Sequence, residues 1–388
     1  MSTAAPPLVL HLVYRFDVGG LENGVVNLIN HMPAGRFRHA VVALTDCSAG
    51  FCQRIARADV DFVSLHKPPG HGAKLYPRLY RLFREQRPAI VHTRNLAALE
   101  AVVPAWAAGV AARVHGEHGW DVSDPGGTRR KFQWLRRAYS PFVSRYVALS
   151  RHIESYLVDR VGIAPVRVER ICNGVDSTRF RPAAGGVRGA LGGMPATFAA
   201  PGVVVVGTVG RLQAVKDQVG LVRAFALARA GGEGGRSLRL VVAGDGPQRA
   251  ELEAEIRSAG VEDAVWLAGE RGDVPEVMRA LDFFVLPSKA EGISNTILEA
   301  MASGLAVAAT AVGGNPELVA AGETGLLVPA TDARGMADAL LCYASDAALR
   351  HRHGAAARRR VEAEFSIDGM VARYMRLYES LLRPPGVA

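Results

Sequence analysis

The feature that most limits the fold of this chain is an alternation of strand and helix patterns. In the first half, apolar runs at residues 8–16, 39–45, 61–66 and 90–93 are separated by segments with helical spacing. Strands that alternate with helices at this spacing predict a parallel sheet with helices on both faces. A chain of 388 residues is long enough for two such domains.

The first predicted strand ends in the glycine-rich turn D-V-G-G-L-E-N-G, which contains Gly19, Gly20 and Glu22. A strand, a glycine-rich turn and a helix form the opening unit of a Rossmann-like domain. The turn lacks the spacing G-x-G-x-x-G, so it gives little support to a dinucleotide site.

In the second half, the strongest candidate for a binding site is P-S-K-A-E-G-I-S-N-T-I-L-E-A-M, residues 287–301. It follows an apolar strand and opens a helix near Asn295. The free N–H groups of residues 293–296 and the helix dipole favour an anion there. Gly292 lets the backbone approach that anion closely.

Two glutamates, Glu291 and Glu299, lie eight residues apart in this stretch. A carboxylate accepts two hydrogen bonds, which suits a pair of vicinal hydroxyls. A phosphate site between two diol-binding carboxylates describes a nucleotide-sugar, whereas the alternative is an amphipathic helix with solvated glutamates. Upstream, Arg211 lies at the end of a predicted strand and Lys216 at the start of the helix that follows, where two cations can clamp a diphosphate.

A second candidate site is the loop within A-R-V-H-G-E-H-G-W-D-V, residues 112–122, which carries His115, Glu117, His118 and Asp121. We place the end of the strand at Val114. Polar residues that follow a parallel strand point into the ligand crevice, so this position favours His115 over His118. The H-x-x-H spacing in a glycine-rich loop is weak evidence for a metal, and no metal site is expected.

Positive charge is concentrated in residues 1–185, which hold 25 Lys/Arg against 14 Asp/Glu; the remainder holds 21 against 23. This distribution suggests an anionic partner, unless it is only a solvated surface. Segments 74–87 and 129–145 combine these cations with Tyr, Phe and Trp, which suits single-stranded nucleic acid or a membrane interface. Since no nucleic-acid recognition motif accompanies them, an anionic membrane surface is the favoured partner.

The four cysteines form no C-x-x-C pair and no zinc spacing, and residues 1–7 carry no basic segment of a signal peptide. We expect a cytoplasmic protein, with peripheral binding to the inner membrane as its route to an anionic surface.

The segment E-G-I-S-N-T-I-L-E-A-M-A-S-G resembles the E-x7-E motif of the retaining glycosyltransferases of family four. Further similarity appears in G-G-L-E-N-G, I-C-N-G-V-D, G-R-L-Q-A-V-K-D and A-A-T-A-V-G-G-N-P-E-L-V, so the resemblance covers roughly residues 8–383. It implies the GT-B fold, an α/β architecture of two Rossmann-like domains whose parallel sheets face each other across a cleft.

The resemblance also implies a role for individual residues. Catalysis is implied for His115, Glu291, Arg211 and Lys216. Donor binding is implied for Gly19, Gly20, Arg211, Lys216, Arg271, Gly292, Ile293, Ser294, Asn295, Thr296 and Glu299. Acceptor or secondary contacts are implied for Glu22, His118, Asp121 and Asn173.

The implied activity is transfer of a sugar, with retention, from a UDP- or GDP-linked donor to a glycan or lipid-linked acceptor, without metal or cofactor. The finer resemblance is to sugar transferases of exopolysaccharide and PEP-CTERM/exosortase systems. A GT-B epimerase or phosphorylase and a non-catalytic nucleotide-sugar-binding protein remain as alternatives.

The expected domains are an acceptor domain over residues 1–185, a Gly-, Ala- and Pro-rich linker over 186–202, and a nucleotide-sugar domain over 203–365. Residues 366–388 would form a terminal helix that packs back on the first domain.

Overall fold

The computed structural model describes residues 5–68, 70, 72–119, 124, 126–186 and 188–383. These residues form two compact units. The first unit holds the described residues up to Gly174 together with those from Ile367 onward, and the second unit holds Val175–Ser366.

Among its described residues, the first unit has a seven-stranded parallel sheet in the order β3-β2-β1-β4-β5-β6-β7. The first strand of the chain, an inner strand of this sheet, is buried along its whole length, as its apolar sequence predicts. The strands are β1 (Leu8–Val13), β2 (Arg38–Ala43), β3 (Val60–Ser64), β4 (Ile90–Arg94), β5 (Ala112–Glu117), β6 (Arg145–Ala148) and β7 (Val168–Arg170).

Helices connect these strands and pack on both faces of the sheet. They are α1 (Gly20–His31), α2 (Ala49–Cys52), α3 (Tyr76–Gln86), α4 (Asn95–Leu99), α5 (Val102–Ala107), α6 (Arg130–Tyr139) and α7 (Arg151–Ser155). Ser150 caps α7 by accepting a hydrogen bond from the Ile153 N–H at 3.2 Å.

The second unit repeats the architecture with a six-stranded parallel sheet among its described residues, in the order β10-β9-β8-β11-β12-β13. The strands are β8 (Val204–Val209), β9 (Leu238–Ala243), β10 (Val265–Gly269), β11 (Phe283–Leu286), β12 (Ala306–Thr310) and β13 (Gly325–Val328). The helices are α8 (Gln218–Ala230), α9 (Glu233–Arg236), α10 (Arg249–Ser258), α11 (Val274–Arg279), α12 (Asn295–Ala302), α13 (Asn315–Leu318), α14 (Ala333–Ser345) and α15 (Ala347–Glu364).

The last helix, α16 (Ile367–Leu382), belongs to the first unit. Its Met370, Tyr374 and Tyr378 share a core cluster with Val9 of β1 and Ile90 of β4. The Tyr378 hydroxyl lies 2.8 Å from Nδ1 of His92, which is itself fully buried in β4. The apolar face of α16 is therefore part of the core of the first unit.

The segment that the composition assigned to the end of the first domain and to a linker lies in the second unit. Arg188 forms a 2.6 Å ion pair with Asp282 and donates to the Phe198 carbonyl. Leu191 and Phe198 are buried. Two buried apolar side chains and one partly buried ion pair therefore anchor a segment whose Gly and Ala content suggests flexibility.

Candidate functional site

The loop between β11 and α12 gathers polar side chains around Glu291. Its Oε1 atom accepts hydrogen bonds from the Lys216 ammonium at 2.6 Å and from the Ser288 hydroxyl at 2.7 Å. Ser288 is fully buried, and the Glu291 side chain is only 8% exposed. Lys216 belongs to the loop that follows β8, so the structure brings these two predicted residues together.

The backbone that follows Glu291 leads directly into the N-terminus of α12, which begins at Asn295 as predicted. Ser294 caps the helix by accepting from the Ile297 N–H at 3.3 Å, and its hydroxyl lies 3.1 Å from that of Thr296. Ile293 is buried and anchors the loop. The N–H groups at a capped N-terminus, with the helix dipole behind them, can bind an anion.

A second glycine-rich loop holds this segment in place. Gly314 donates its N–H to the Gly292 carbonyl at 2.9 Å. Gly313 has a φ of +54°, and a Cβ atom on it would lie 1.8 Å from the Glu291 carbonyl oxygen. Only glycine permits this approach, so the backbone around Glu291 is fixed by contacts on both sides.

Glu299 differs from Glu291, because no described residue forms a hydrogen bond or an ion pair with its carboxylate that the structure records. The side chain is partly buried on α12. Burial raises its pKa to about 7, although the charge of Arg179 lowers that pKa somewhat. A carboxylate that is partly shielded from water and has no recorded protein partner is available to a ligand that brings hydroxyl donors.

The two arginines predicted to bind the donor, Arg211 and Arg271, have different surroundings. Arg211 is exposed at the end of β8, and its carbonyl accepts from the Gln218 side chain at 3.2 Å. Arg271 instead directs its guanidinium at Asp273, with contacts of 2.8 and 2.5 Å, and donates to the Gly192 carbonyl at 3.0 Å. These contacts draw its side chain toward α11, and none that the structure records joins it to Glu291 or Lys216.

In the first unit, the predicted Gly19–Glu22 turn opens α1. A Cβ atom on Gly19 would lie 2.1 Å from Oε2 of Glu22, so the glycine lets this carboxylate fold back over the start of the helix that begins at Gly20. Asn173 is buried, and its Oδ1 atom lies 3.8 Å from the position of a Cβ atom on Gly24. Asn173 therefore lies beside α1, the helix that the Gly19–Glu22 turn opens.

The strand-end argument for His115 is wrong, because β5 continues to Glu117. His115 lies within the sheet and is fully buried. Its Nδ1 atom lies 2.8 Å from the Thr93 hydroxyl, and its Nε2 atom lies 3.2 Å from Glu117. Both ring nitrogens therefore have partners inside the protein, and His118 is the first residue after the strand.

The imidazole ring of His118 differs from that of His115, because both of its nitrogens are buried without a hydrogen-bond partner among the described residues. Its backbone N–H donates to Oδ1 of Asn95 at 2.7 Å, but neither ring nitrogen has a partner among the described residues. Burial and the charge of Arg94 lower the pKa of His118 well below its ordinary value, against the opposing effect of Glu117. The ring is therefore neutral at physiological pH. Asp121, predicted beside it, lies outside the described residues.

Sequence reasoning missed the residues that surround His118. Arg94 is only 2% exposed at the end of β4, and Asn95 adopts a left-handed φ of +56°. A non-glycine residue at such a φ marks a local constraint, but no sequence pattern announces it. Ser288 was likewise passed over beside Glu291.

Among the described residues, no group of three or more His, Cys, Asp or Glu side chains could hold a metal ion. Asp59 and Asp61, at the start of β3, have the D-x-D spacing of some metal sites, but Asp59 forms an ion pair with Arg57 at 2.6 Å. No helix in the described part of the chain is long and apolar enough to cross a membrane.

Two parallel sheets of seven and six described strands, each wound by helices, define a GT-B fold. Solved structures share it. The crystal structure of Anabaena Alr3699/HepE in complex with UDP-glucose superposes with a TM-score of 0.80 at 20% identity, and covers 96% of this chain and 100% of its own. The structure of WaaG, a glycosyltransferase involved in lipopolysaccharide biosynthesis, gives a TM-score of 0.72 at 16% identity over 95% and 99% of the two chains.

Two family models match successive parts of the sequence: Glycosyltransferase Family 4 over residues 18–179 and Glycosyl transferases group 1 over residues 203–346. Together the two models match most of the chain, which therefore belongs to the glycosyltransferase family that they describe.

Curated relatives match over parts of their length. A lipopolysaccharide core biosynthesis mannosyltransferase of Rhizobium meliloti, LpsB, is 38% identical over 34% of this chain and 38% of its own. An Escherichia coli UDP-Gal:alpha-D-GlcNAc-diphosphoundecaprenol alpha-1,3-galactosyltransferase is 28% identical over 70% of each chain. The first of these matches spans well under half of the relative.

Proposed function

We propose that this protein is a retaining, metal-independent glycosyltransferase that moves a sugar from a nucleotide-sugar to a glycan or lipid-linked acceptor. The observation that carries the proposal is the Glu299 carboxylate. It is kept partly from water without a recorded protein partner, with its pKa raised to about 7, on the helix whose capped N-terminus adjoins Glu291 and Lys216.

In this proposal, Glu299 accepts hydrogen bonds from the ribose hydroxyls of the donor, and the backbone N–H groups at the start of α12 bind its diphosphate. Lys216 and Arg211 add two positive charges at the same edge of the sheet. The Lys216–Glu291 contact of 2.6 Å then becomes a link between the diphosphate and the sugar, since Glu291 can accept hydrogen bonds from sugar hydroxyls.

The reaction needs stabilisation of the charge that develops on the departing diphosphate. Lys216, Arg211 and the α12 N-terminus provide fixed positive potential there, and fixed donors require no reorganisation as the bond breaks. We propose His118, in place of His115, for the contact with the transferred sugar, because its ring is neutral and its nitrogens have no hydrogen-bond partner among the described residues. A neutral imidazole can accept a hydrogen bond from a sugar hydroxyl or donate one to it.

We propose that the first unit binds the acceptor and contacts a membrane surface. We define its aromatic surface by Tyr80 on α3, Trp106 on α5 and Trp134 on α6, which are 42%, 55% and 67% exposed. Trp106 contacts Phe142 edge-on at 5.2 Å, so α5 adjoins the segment that follows α6. Exposed Arg and Lys residues flank these rings, a combination suited to the interface of an anionic bilayer.

This arrangement favours a lipid-linked acceptor held at a membrane surface, in exopolysaccharide or other cell-surface glycan synthesis, including the PEP-CTERM systems that the sequence resembles. The relatives named above include one whose substrate is diphosphoundecaprenol-linked. Arg136, which the sequence places within the basic segment, is not part of this surface, because it is buried.

The activity test uses the purified protein with UDP-, GDP- and ADP-linked sugars, with and without a diphosphoundecaprenol-linked glycan and in the presence of a chelator. We expect nucleoside diphosphate release that depends on the acceptor and persists in the chelator. Isomerisation of the donor without an acceptor would indicate an epimerase, release of sugar phosphate would indicate a phosphorylase, and binding without turnover would indicate a binding protein.

The membrane test is co-sedimentation with anionic vesicles at low and high salt. Changing Arg129, Arg130 and Lys131 to Ser should weaken binding, since each cation near an anionic bilayer contributes about 1 kcal/mol. The matched control changes three exposed arginines of the second unit, Arg334, Arg352 and Arg359, to Ser. Equal losses in both triple variants would refute a specific surface.

A further inference from the structure

His118 has no hydrogen bond to its ring from any described residue, yet the ring lies in a defined place. A Cβ atom on Gly116 would fall 2.5 Å from its Nε2 atom, so the ring rests directly over the glycine backbone. Oδ1 of Asn95 accepts a hydrogen bond from the backbone N–H of His118 at 2.7 Å. The third restraint is the residue before it, Glu117.

Glu117 and Arg136 form an ion pair that is buried on both sides. The Arg136 Nε atom lies 2.5 Å from Oε1 and its Nη2 atom 3.1 Å from Oε2, and both side chains are 3% exposed or less. Burial would raise the pKa of Glu117, but Arg136 and His115 outweigh it and hold that pKa below its usual range. The carboxylate is therefore ionised and its position is fixed by two-point contact.

Such a pair is a poor way to gain stability, because the cost of removing two charges from water offsets most of their attraction. Its geometric effect is larger. It joins the last residue of β5 to α6, the helix that exposes Trp134 on its opposite side. The Arg136 guanidinium also lies over the Tyr156 ring, 5.4 Å from its centroid, which fixes the arginine from the far side.

We propose that Glu117 and Arg136 are positioning residues for His118. Their ion pair clamps the end of β5 against α6 and so sets where the imidazole lies over Gly116. The inference rests on the proposed role of His118 in sugar transfer, and it assigns a second task to α6, whose outward side carries part of the aromatic surface.

The test compares two variants with a matched control. Arg136→Lys keeps the charge but loses the two-point contact. The double variant Glu117→Gln/Arg136→Met removes both charges together, which avoids a lone buried charge. The control is Arg137→Lys, on the same helix, because Arg137 donates to the Val161 carbonyl at 2.7 Å and makes no recorded contact with β5.

Three quantities are measured for each variant: kcat, donor affinity by calorimetry, and the imidazole NMR signals of His118, assigned by comparison with His118→Gln. We expect kcat to fall at least about tenfold in both variants, since small displacements of reacting groups are costly. Donor affinity should stay within about twofold, and the His118 signals should shift. Arg137→Lys should change none of the three.

The result that overturns the inference is an unchanged set of His118 signals in the two variants, whatever their activity. A lower melting temperature with unchanged kcat would also overturn it, because the pair would then only support the fold. Absence of sugar transfer by the unaltered protein refutes the proposed function instead. The NMR comparison needs no activity and still decides whether the pair positions the ring.

Discussion

Replacing Glu299 with Gln should stabilise the second unit while it weakens nucleotide binding. Burial raises the pKa of this carboxyl from 4.5 to about 7 in the folded protein. In the unfolded chain the group titrates near 4.5. Between these values the folded state keeps a proton that the unfolded state has lost, so the wild-type protein loses stability as the pH rises through this window.

The size of the effect follows from the two pKa values. The difference between about 7 and 4.5, at about 1.4 kcal/mol for each pKa unit, corresponds to about 3 kcal/mol in the free energy of unfolding. This is an upper limit, because the side chain keeps some contact with water. Glutamine does not titrate, so the variant should match the wild type near pH 5 and exceed it at pH 8.

The assay is denaturant unfolding of both proteins at pH 5 and pH 8, with calorimetric titration of UDP and GDP. The control is Glu262→Gln, at an exposed position of the same unit, which should show no such change. Losing hydrogen bonds to a charged group should cost the variant about 1.5–3 kcal/mol in nucleotide affinity. Equal stability of variant and wild type at pH 8, or full nucleotide affinity, would refute the assignment of Glu299.

Three further substitutions test the remaining roles. Lys216→Ala should weaken nucleoside diphosphate binding by about 1.5–3 kcal/mol, and unchanged affinity in calorimetry would remove Lys216 from the phosphate site. Glu291→Gln should spare nucleotide affinity and lower kcat; a loss of affinity equal to that of the Glu299 variant would contradict their separate roles. His118→Ala should lower kcat/KM at unchanged donor affinity, whereas His115→Ala should lower the melting temperature. An inactive but equally stable His115 variant would restore the original assignment.

The position of the loop between β11 and α12 was predictable because its signals are local. A polar run after an apolar strand, a serine at the cap position and a glycine beside the first glutamate define the turn, and α12 begins at Asn295 as predicted. The raised pKa of Glu299 was not predictable, since it depends on how the folded chain buries the side chain and on the opposing charge of Arg179, which is distant in sequence. Sequence spacing alone does not distinguish that carboxylate from the ion-paired Glu291.

The histidine loop shows the opposite case. Glycine and charged residues in H-G-E-H-G favour a loop from sequence, yet β5 includes the first three of them and ends at Glu117. Thr93 and Arg136 supply hydrogen-bond partners for the buried side chains of His115 and Glu117. Arg136 was predicted to be on the surface with its basic neighbours. At 100° per residue, it faces away from Trp134, but the sequence does not reveal which side is covered. Neither partner of Glu117 can be identified from spacing.

The most direct test of the central claim is the anomeric configuration of the product. The protein is incubated with its preferred α-linked nucleotide-sugar and a lipid-linked glycan acceptor, and the new linkage is assigned by NMR. The account predicts an α-linkage, formed with one nucleoside diphosphate released for each sugar transferred. A β-linkage, or consumption of the donor without any sugar on the acceptor, would contradict it.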